Sequence, residues 1–283
     1  MDLEDIQRHM DKAMIGQNNR SIPEFEGYSP FEMHQIIHFT FGVESPIKLQ
    51  KLSDSDYQKI PILSQIKYLT DLIDKAGEIK LTDKGYLPTK IVADLYHQGF
   101  LKDEHIEKNM SKLYKETDSM TVNLTRILIE LAGLIKKRKG KISLTKSSKK
   151  ILADNHELLQ LIFLTFATKF NWAFYDGYGE NQIGQLGFGF SLILLSKYGQ
   201  KKRLDSFYAE KYLNAYPQLL DSIEPDFGTL ESYSSRCYST RTFERFLDYF
   251  GLIKIDLEGS WIDSIRHMKK TDLFDRLIKC TPP

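Results

Sequence analysis

One strand-like phrase occurs twice along this chain. Residues 76–82 read Ala-Gly-Glu-Ile-Lys-Leu-Thr and residues 139–145 read Lys-Gly-Lys-Ile-Ser-Leu-Thr. In each, two apolar residues flank a polar one, Ile79 and Leu81 around Lys80, Ile142 and Leu144 around Ser143. That is the period-2 pattern of a strand with one buried face. A second phrase, Gly-Leu-Ile-Lys, follows an apolar helical stretch at 133–136 and again at 251–254, where it opens a weaker third copy over 251–259. Glycine suits the left-handed reversal that ends a helix.

Helix, glycine stop, strand, polar turn and returning strand is the order of a winged helix's third helix and wing. In the clearer copy Leu134-Ile135 is the outgoing strand, Lys136 to Gly140 the tip, and Lys141 to Thr145 the return. Thr145 or Ser147 is placed to cap the next helix. Upstream, Pro88 opens a helix over 89–96 that Gly99 stops, Asp103 caps a second helix running to Tyr114, and Met120 to Ala132 forms the third. The C-terminal third reads similarly: helical pieces at 204–213 and 217–223, a polar segment 226–235, a helix over 240–250, and a wing at 252–262. Phe243, Phe246, Leu247 and Phe250 are spaced as the inward face of that last helix. Between the modules lie a long apolar helix at 155–172 and a second over 182–197. The former is interrupted by Lys169 and Asn171, and a membrane span needs about 20 mostly apolar residues.

The expected fold is therefore mainly α with short β-hairpins, as winged-helix-like modules packed on a helical core. Four segments follow: an N-terminal helical arm (1–62), a first winged-helix-like module (63–150), a central helical pair (151–200) and a second such module (201–283). In the arm, Ser29 caps a short helix from Phe31 to His38 with Pro30 at its first position. The parts are expected to pack as one compact body.

Composition narrows the function. With 39 Lys+Arg against 38 Asp+Glu the chain as a whole has little field for a polyanion, so any such attraction has to be local. It is local at one place: Lys136, Lys137, Arg138, Lys139, Lys141, Lys146, Lys149 and Lys150 put eight cations in fifteen residues with no acid among them. A wing so charged suits a phosphate backbone, and a solvated hairpin tip is the plainer alternative. The helix before it, with Val122, Leu124, Ile127, Leu128, Ile129 and Leu131, is too apolar to read bases and is expected to be buried. The C-terminal helix offers Arg236, Thr240, Arg241 and Arg245 as candidate contacts to phosphate or guanine, weakened by Glu244 and Asp248.

Other candidates are sparser. Trp172, Tyr175, Asp176 and Tyr178 have the composition of a pocket for a cation or a sugar, and equally that of a turn packed on the core. His34 and His38 share a helix face, yet no H-E-x-x-H occurs, so no metal site is assigned. Neither a G-x-S-x-G elbow nor a P-loop is present, the glycines at 184, 187 and 189 form no dinucleotide fingerprint, and no catalytic residue or cofactor is expected. Two cysteines, Cys237 and Cys280, suit a reducing compartment, and the start of the chain lacks a signal-peptide pattern, so a cytoplasmic protein is expected.

Three phrases carry a resemblance: Glu26 to His34, Ile79 to Pro88, and Ala132-Gly133-Leu134-Ile135 together with Leu144-Thr145. Over its first half the chain resembles a family of uncharacterised bacterial intracellular proteins with winged-helix-like segments. That resemblance implies no known activity and transfers no catalytic residue. Two partner classes stay open, double-stranded DNA and another protein through the same modules, with no membrane partner expected.

Overall fold

The computed structural model describes residues 3–259 and 265–283. The tip expected near 260–262 in the second hairpin lies outside the described residues. The chain is mostly helical with short antiparallel strands, in two compact units. The first unit comprises 1–50, 172–248 and 252–283, and the second comprises 51–171 with 249–251. Among the described residues no helix is long and apolar enough to cross a membrane.

In chain order, residues 1–50 supply α1 (Leu3–Asn18), α2 (Pro30–His38) and β1 (Ile47–Leu49). The α2 start is as expected: Ser29 and Glu32 cap it reciprocally and Pro30 occupies the first turn, where its missing N–H costs nothing. The second unit follows with α3 (Asp54–Tyr57), α4 (Pro61–Ala76), β2 (Ile79–Lys80), α5 (Thr89–His97), α6 (Glu104–Glu107), α7 (Met120–Leu131), β3 (Ile135–Arg138), β4 (Lys141–Leu144), α8 (Ser148–Ala153) and α9 (Asn155–Thr168). Residues 172–283 add α10 (Phe188–Tyr198), β5 (Arg203–Leu204), α11 (Asp205–Ala215), α12 (Leu230–Tyr238), β6 (Ile253–Glu258), β7 (Ile265–Lys270), α13 (Asp272–Leu277) and β8 (Ile278–Cys280). A π-helical segment, Ser239–Leu247, continues α12 without a break.

Both units run through the same sequence of elements. In the second it is α4, β2, α5, α7 and the β3–β4 hairpin, with strands ordered β2-β4-β3; in the first it is α10, β5, α11, α12 with its π-helical extension, and β6–β7, ordered β5-β7-β6. The Gly-Leu-Ile-Lys phrases occupy equivalent places. Gly133 and Gly251 have φ near +70°, and the following amides, Leu134 and Leu252, donate back to Ile129 O and Leu247 O. This is the Schellman closure of a helix. Each leucine's carbonyl then accepts from a threonine amide beyond the returning strand, Thr145 or Thr271, at 3.0 Å in both cases. The 76–82 and 139–145 phrases have a different meaning: they are neighbouring strands of one sheet, paired Ile79 to Ile142 and Lys80 to Lys141.

Three expected elements differ. The second helix of the first module is a single turn, α6, because the Asp103 carboxylate does not cap it; it accepts from Ser119 Oγ and from Thr121 N (3.3 Å) and Oγ1 (3.1 Å), securing the start of α7 instead. The polar segment 226–235 is helical from Leu230, capped reciprocally by Thr229 and Ser232. Residues 183–187 are turns, so α10 starts at Phe188.

In the first unit the chain's beginning is held to its end. β1 pairs with β8, and Tyr28 OH donates to Thr281 O at 2.6 Å. Glu26 is the electrostatic anchor, accepting from Lys197 Nζ (2.8 Å), Lys211 Nζ (2.6 Å) and Tyr198 OH (2.5 Å). Burial raises the Glu26 pKa, but these donors outweigh it and hold the carboxyl below its ordinary 4.5. A carboxylate with a depressed folded pKa stabilises above its unfolded pKa and loses that contribution as pH falls through the folded value. Acid titration of stability should therefore show a decline from about pH 4.5 downward that is shallower in Glu26→Gln; identical acid limbs would contradict the assignment.

Candidate nucleic-acid interface

The hairpin of the second unit turns more tightly than its sequence implied. Lys139 and Gly140 alone form the turn, both with positive φ, so β3 extends through Arg138 rather than ending before the lysines. Register then sorts the side chains. Ile79, Ile135 and Ile142 fall on the buried face, while Lys80, Lys136, Arg138 and Lys141 share the other, with Lys141 directly opposite both Lys80 and Arg138. These four cations and Lys137 and Lys139 are all exposed. Lys141 is ion-paired to Glu78, and Lys149 lies 3.5 Å from Asp74; among the described residues Lys136, Lys137, Arg138 and Lys139 join no ion pair. Like charges directly opposite destabilise a sheet, and the Glu78 carboxylate paired to Lys141 offsets part of that repulsion here.

α7 is buried over most of its length, as its composition predicts, though Leu131 at its end is exposed. Val122, Leu124, Leu128 and Ile129 are in the core, and α4, α5 and α9 pack on the helix. Its polar residues serve the interior. Gln65 Nε2 donates to Thr121 O (3.1 Å) and Thr125 Oγ1 (2.8 Å), and Asn123 Nδ2 and Arg126 Nε both donate to the fully buried Glu116 carboxylate at 2.6 Å. Glu116 also accepts from Leu87 N at 2.6 Å. Sequence reasoning missed Glu116, which no local pattern marks as buried.

In the first unit the four candidate readers have different environments. Arg236 lines a groove of about 520 Å³ with Ser206, Thr229, Ser232, Ser235 and Arg266 among its other walls. Thr240 is half-buried and hydrogen-bonded to Tyr178. Arg241 is 1% exposed, so it is not a surface contact. Its Nε pairs with Asp176, Nη1 donates to Asn181 O (2.9 Å) and Oδ1 (2.6 Å), and Nη2 to Gly179 O (2.9 Å). Arg245 donates to Phe174 O (3.1 Å) and Tyr175 O (2.7 Å). Arg241 and Arg245 are thus clamps on the 172–181 loop. Their four-residue spacing brings them to one side of the helix.

The same contacts occupy the candidate ligand-pocket residues. Trp172 is buried on Phe246 with ring centroids 4.7 Å apart, Asp176 accepts from Arg241, and Tyr178 meets Tyr233 and Phe227 edge-on or tilted. Tyr175 alone points outward, 72% exposed. His34 and His38 have ring centroids 4.5 Å apart on the surface, and among the described residues no group of three His, Cys, Asp or Glu is placed to hold a metal ion. Burial pushes the Cys237 thiol up to about 12 and Cys280 up to about 11, the opposite of nucleophile activation.

Residues 58–157 match the family model of the Y4jL N-terminal domain, an uncharacterised family. The match covers about a third of the chain and lies wholly within the second unit. It agrees with the resemblance to an uncharacterised family. No curated protein matches significantly, and no solved structure does.

Proposed function

We propose that this chain is a non-enzymatic, cytoplasmic nucleic-acid-binding protein built from two winged-helix-like modules. The observation that carries the reading is the basic outer face of the β2-β4-β3 sheet, four cations on one surface of which only Lys141 is ion-paired among the described residues. The winged-helix part draws support from the duplicated order of helices, first strand and hairpin, with the first strand paired to the returning one in both units. Arg236 extends the reading to the first unit, while Arg241 and Arg245 do not contribute to it.

Replacing Lys137, Arg138 and Lys139 with Ala is expected to weaken binding to a mixed double-stranded DNA and to reduce the salt slope by roughly one for each phosphate no longer engaged. Fluorescence anisotropy at two salt concentrations reads both; unchanged affinity and slope would remove the hairpin from the interface. A protein partner is the second reading, favoured by one observation. Exposed Leu204 and Ile265 line the groove together with Arg236, giving it apolar surface beside an arginine, residue types that protein contacts use. Absence of DNA binding at low salt would turn attention there.

A further inference from the structure

We propose that the sheet of the second unit grips the phosphate backbone of duplex DNA without reading sequence. The inference rests on the nucleic-acid reading above and specifies its mode. Base readout needs polar side chains projecting from an element that enters a groove. Among the described residues α7 is the long helix that adjoins this hairpin in sequence, and it cannot serve. α9 packs on it, Thr121, Asn123 and Thr125 are buried, and Arg126 is paired to Glu116 and Glu130. What remains outward on the sheet is mainly cationic, with Glu78 paired to Lys141 as its acid, and cations on a strand face meet phosphates rather than base edges.

The turn adds an independent observation. Two-residue hairpin turns with both φ positive favour Asn, Asp or Gly at the first position, because a longer side chain is disfavoured in the left-handed region. Here that position is Lys139, with φ of +50°. A lysine in place of the favoured residue puts a charge at the most projecting point of the hairpin at a conformational cost. Strain of this kind is characteristic of functional positions. With the tip, the cations facing a backbone and in no ion pair among the described residues become Lys80, Lys136, Arg138 and Lys139, with Lys141 held by Glu78. Duplex DNA is the occupant because its dense, regularly spaced phosphates complement a cluster of cations spread over adjacent strands and their turn.

The test uses the full chain and a labelled 20-base-pair DNA duplex of arbitrary sequence. With about four phosphates engaged, affinity should fall roughly 10²-fold between 50 and 200 mM salt. Unlabelled duplexes of unrelated sequence should compete within about threefold of one another, as backbone contacts carry no sequence information. Lys139→Asn should melt at a higher temperature than the wild type while binding several-fold more weakly, with a salt slope lower by about one. The opposed directions separate a direct role at the DNA from a folding defect. A single sequence competing tenfold better than the rest would overturn backbone-only binding and leave the nucleic-acid reading standing. Stronger competition by an RNA duplex would overturn the choice of DNA, and unchanged affinity in Lys139→Asn would overturn the role of the tip. No binding to any duplex at 50 mM salt would remove both readings together.

Discussion

Arg241→Met is expected to destabilise the first unit by about 3–5 kcal/mol, the cost of leaving one member of a buried ion pair without its partner. Both side chains of the Arg241–Asp176 pair are fully buried. Asp176 would keep the Tyr178 amide as a donor, at 2.9 Å, while the carbonyls of Gly179 and Asn181 would be deprived of the guanidinium. Methionine fills most of the volume, so the loss of stability reflects charge and hydrogen bonds rather than a cavity. The loop itself supplies the reporter, since Trp172 is buried against Phe246. In a Trp261→Phe background, Trp172 emission should shift to the red in Arg241→Met, and the urea midpoint should fall with little change in slope. Adding Asp176→Leu should recover part of the stability, because removing both charges avoids the uncompensated one. If the double variant were as unstable as the sum of the singles, the pair would not be coupled. An Arg241 variant that stays folded should also bind DNA with unchanged salt dependence, because its guanidinium never reaches solvent.

That residue shows where sequence reading stops. Arg241 and Arg245 sit at helix positions typical of readers, and only the return of the distant 172–181 loop makes them clamps. Burial of a charged group depends on a partner 65 residues away, which no periodicity encodes. The same limit hid Glu116, and hid the pairing of β1 with β8, more than 220 residues apart in sequence. Local signals fared better. Gly133 and Gly251 close their helices as a left-handed glycine should, Ser29 and Pro30 open α2, and the apolar α7 is buried. The strand phrase at 76–82 was legible as a strand, but not its partner: two similar phrases reflect two strands presenting one apolar face to the same core. Asp103 looked like the cap of the helix that follows it, and instead accepts from Ser119, the cap of α7, and from the Thr121 amide in that helix's first turn. Sequence shows the capping chemistry, whereas the fold chooses the recipient.

Glu116→Ala is the corresponding test in the second unit, with an expected destabilisation of about 3–5 kcal/mol because Arg126 is mostly buried and would lose its deeper countercharge. Three donors depend on this one carboxylate: the Leu87 amide ahead of α5, and Asn123 and Arg126 on α7. Arg126 would retain Glu130, at the more exposed end of the network. Glu116→Gln, which keeps an acceptor oxygen and removes the charge, should fall between wild type and Glu116→Ala in urea midpoint. Hydrogen exchange gives a local check, since the Leu87 amide should lose protection in Glu116→Ala under conditions where the chain is still folded. A destabilisation below about 1 kcal/mol, the scale of an ordinary net hydrogen bond, would mean that the network is not cooperative. The outcome bears on function as well as on stability. If the polar residues of α7 exist to satisfy Glu116 and Gln65, the folded fraction of Glu116→Ala should bind duplex DNA with the wild-type salt slope, because Lys136, Arg138, Lys139 and Lys141 are untouched. A changed slope would place α7 at the nucleic acid and contradict its role as a core helix.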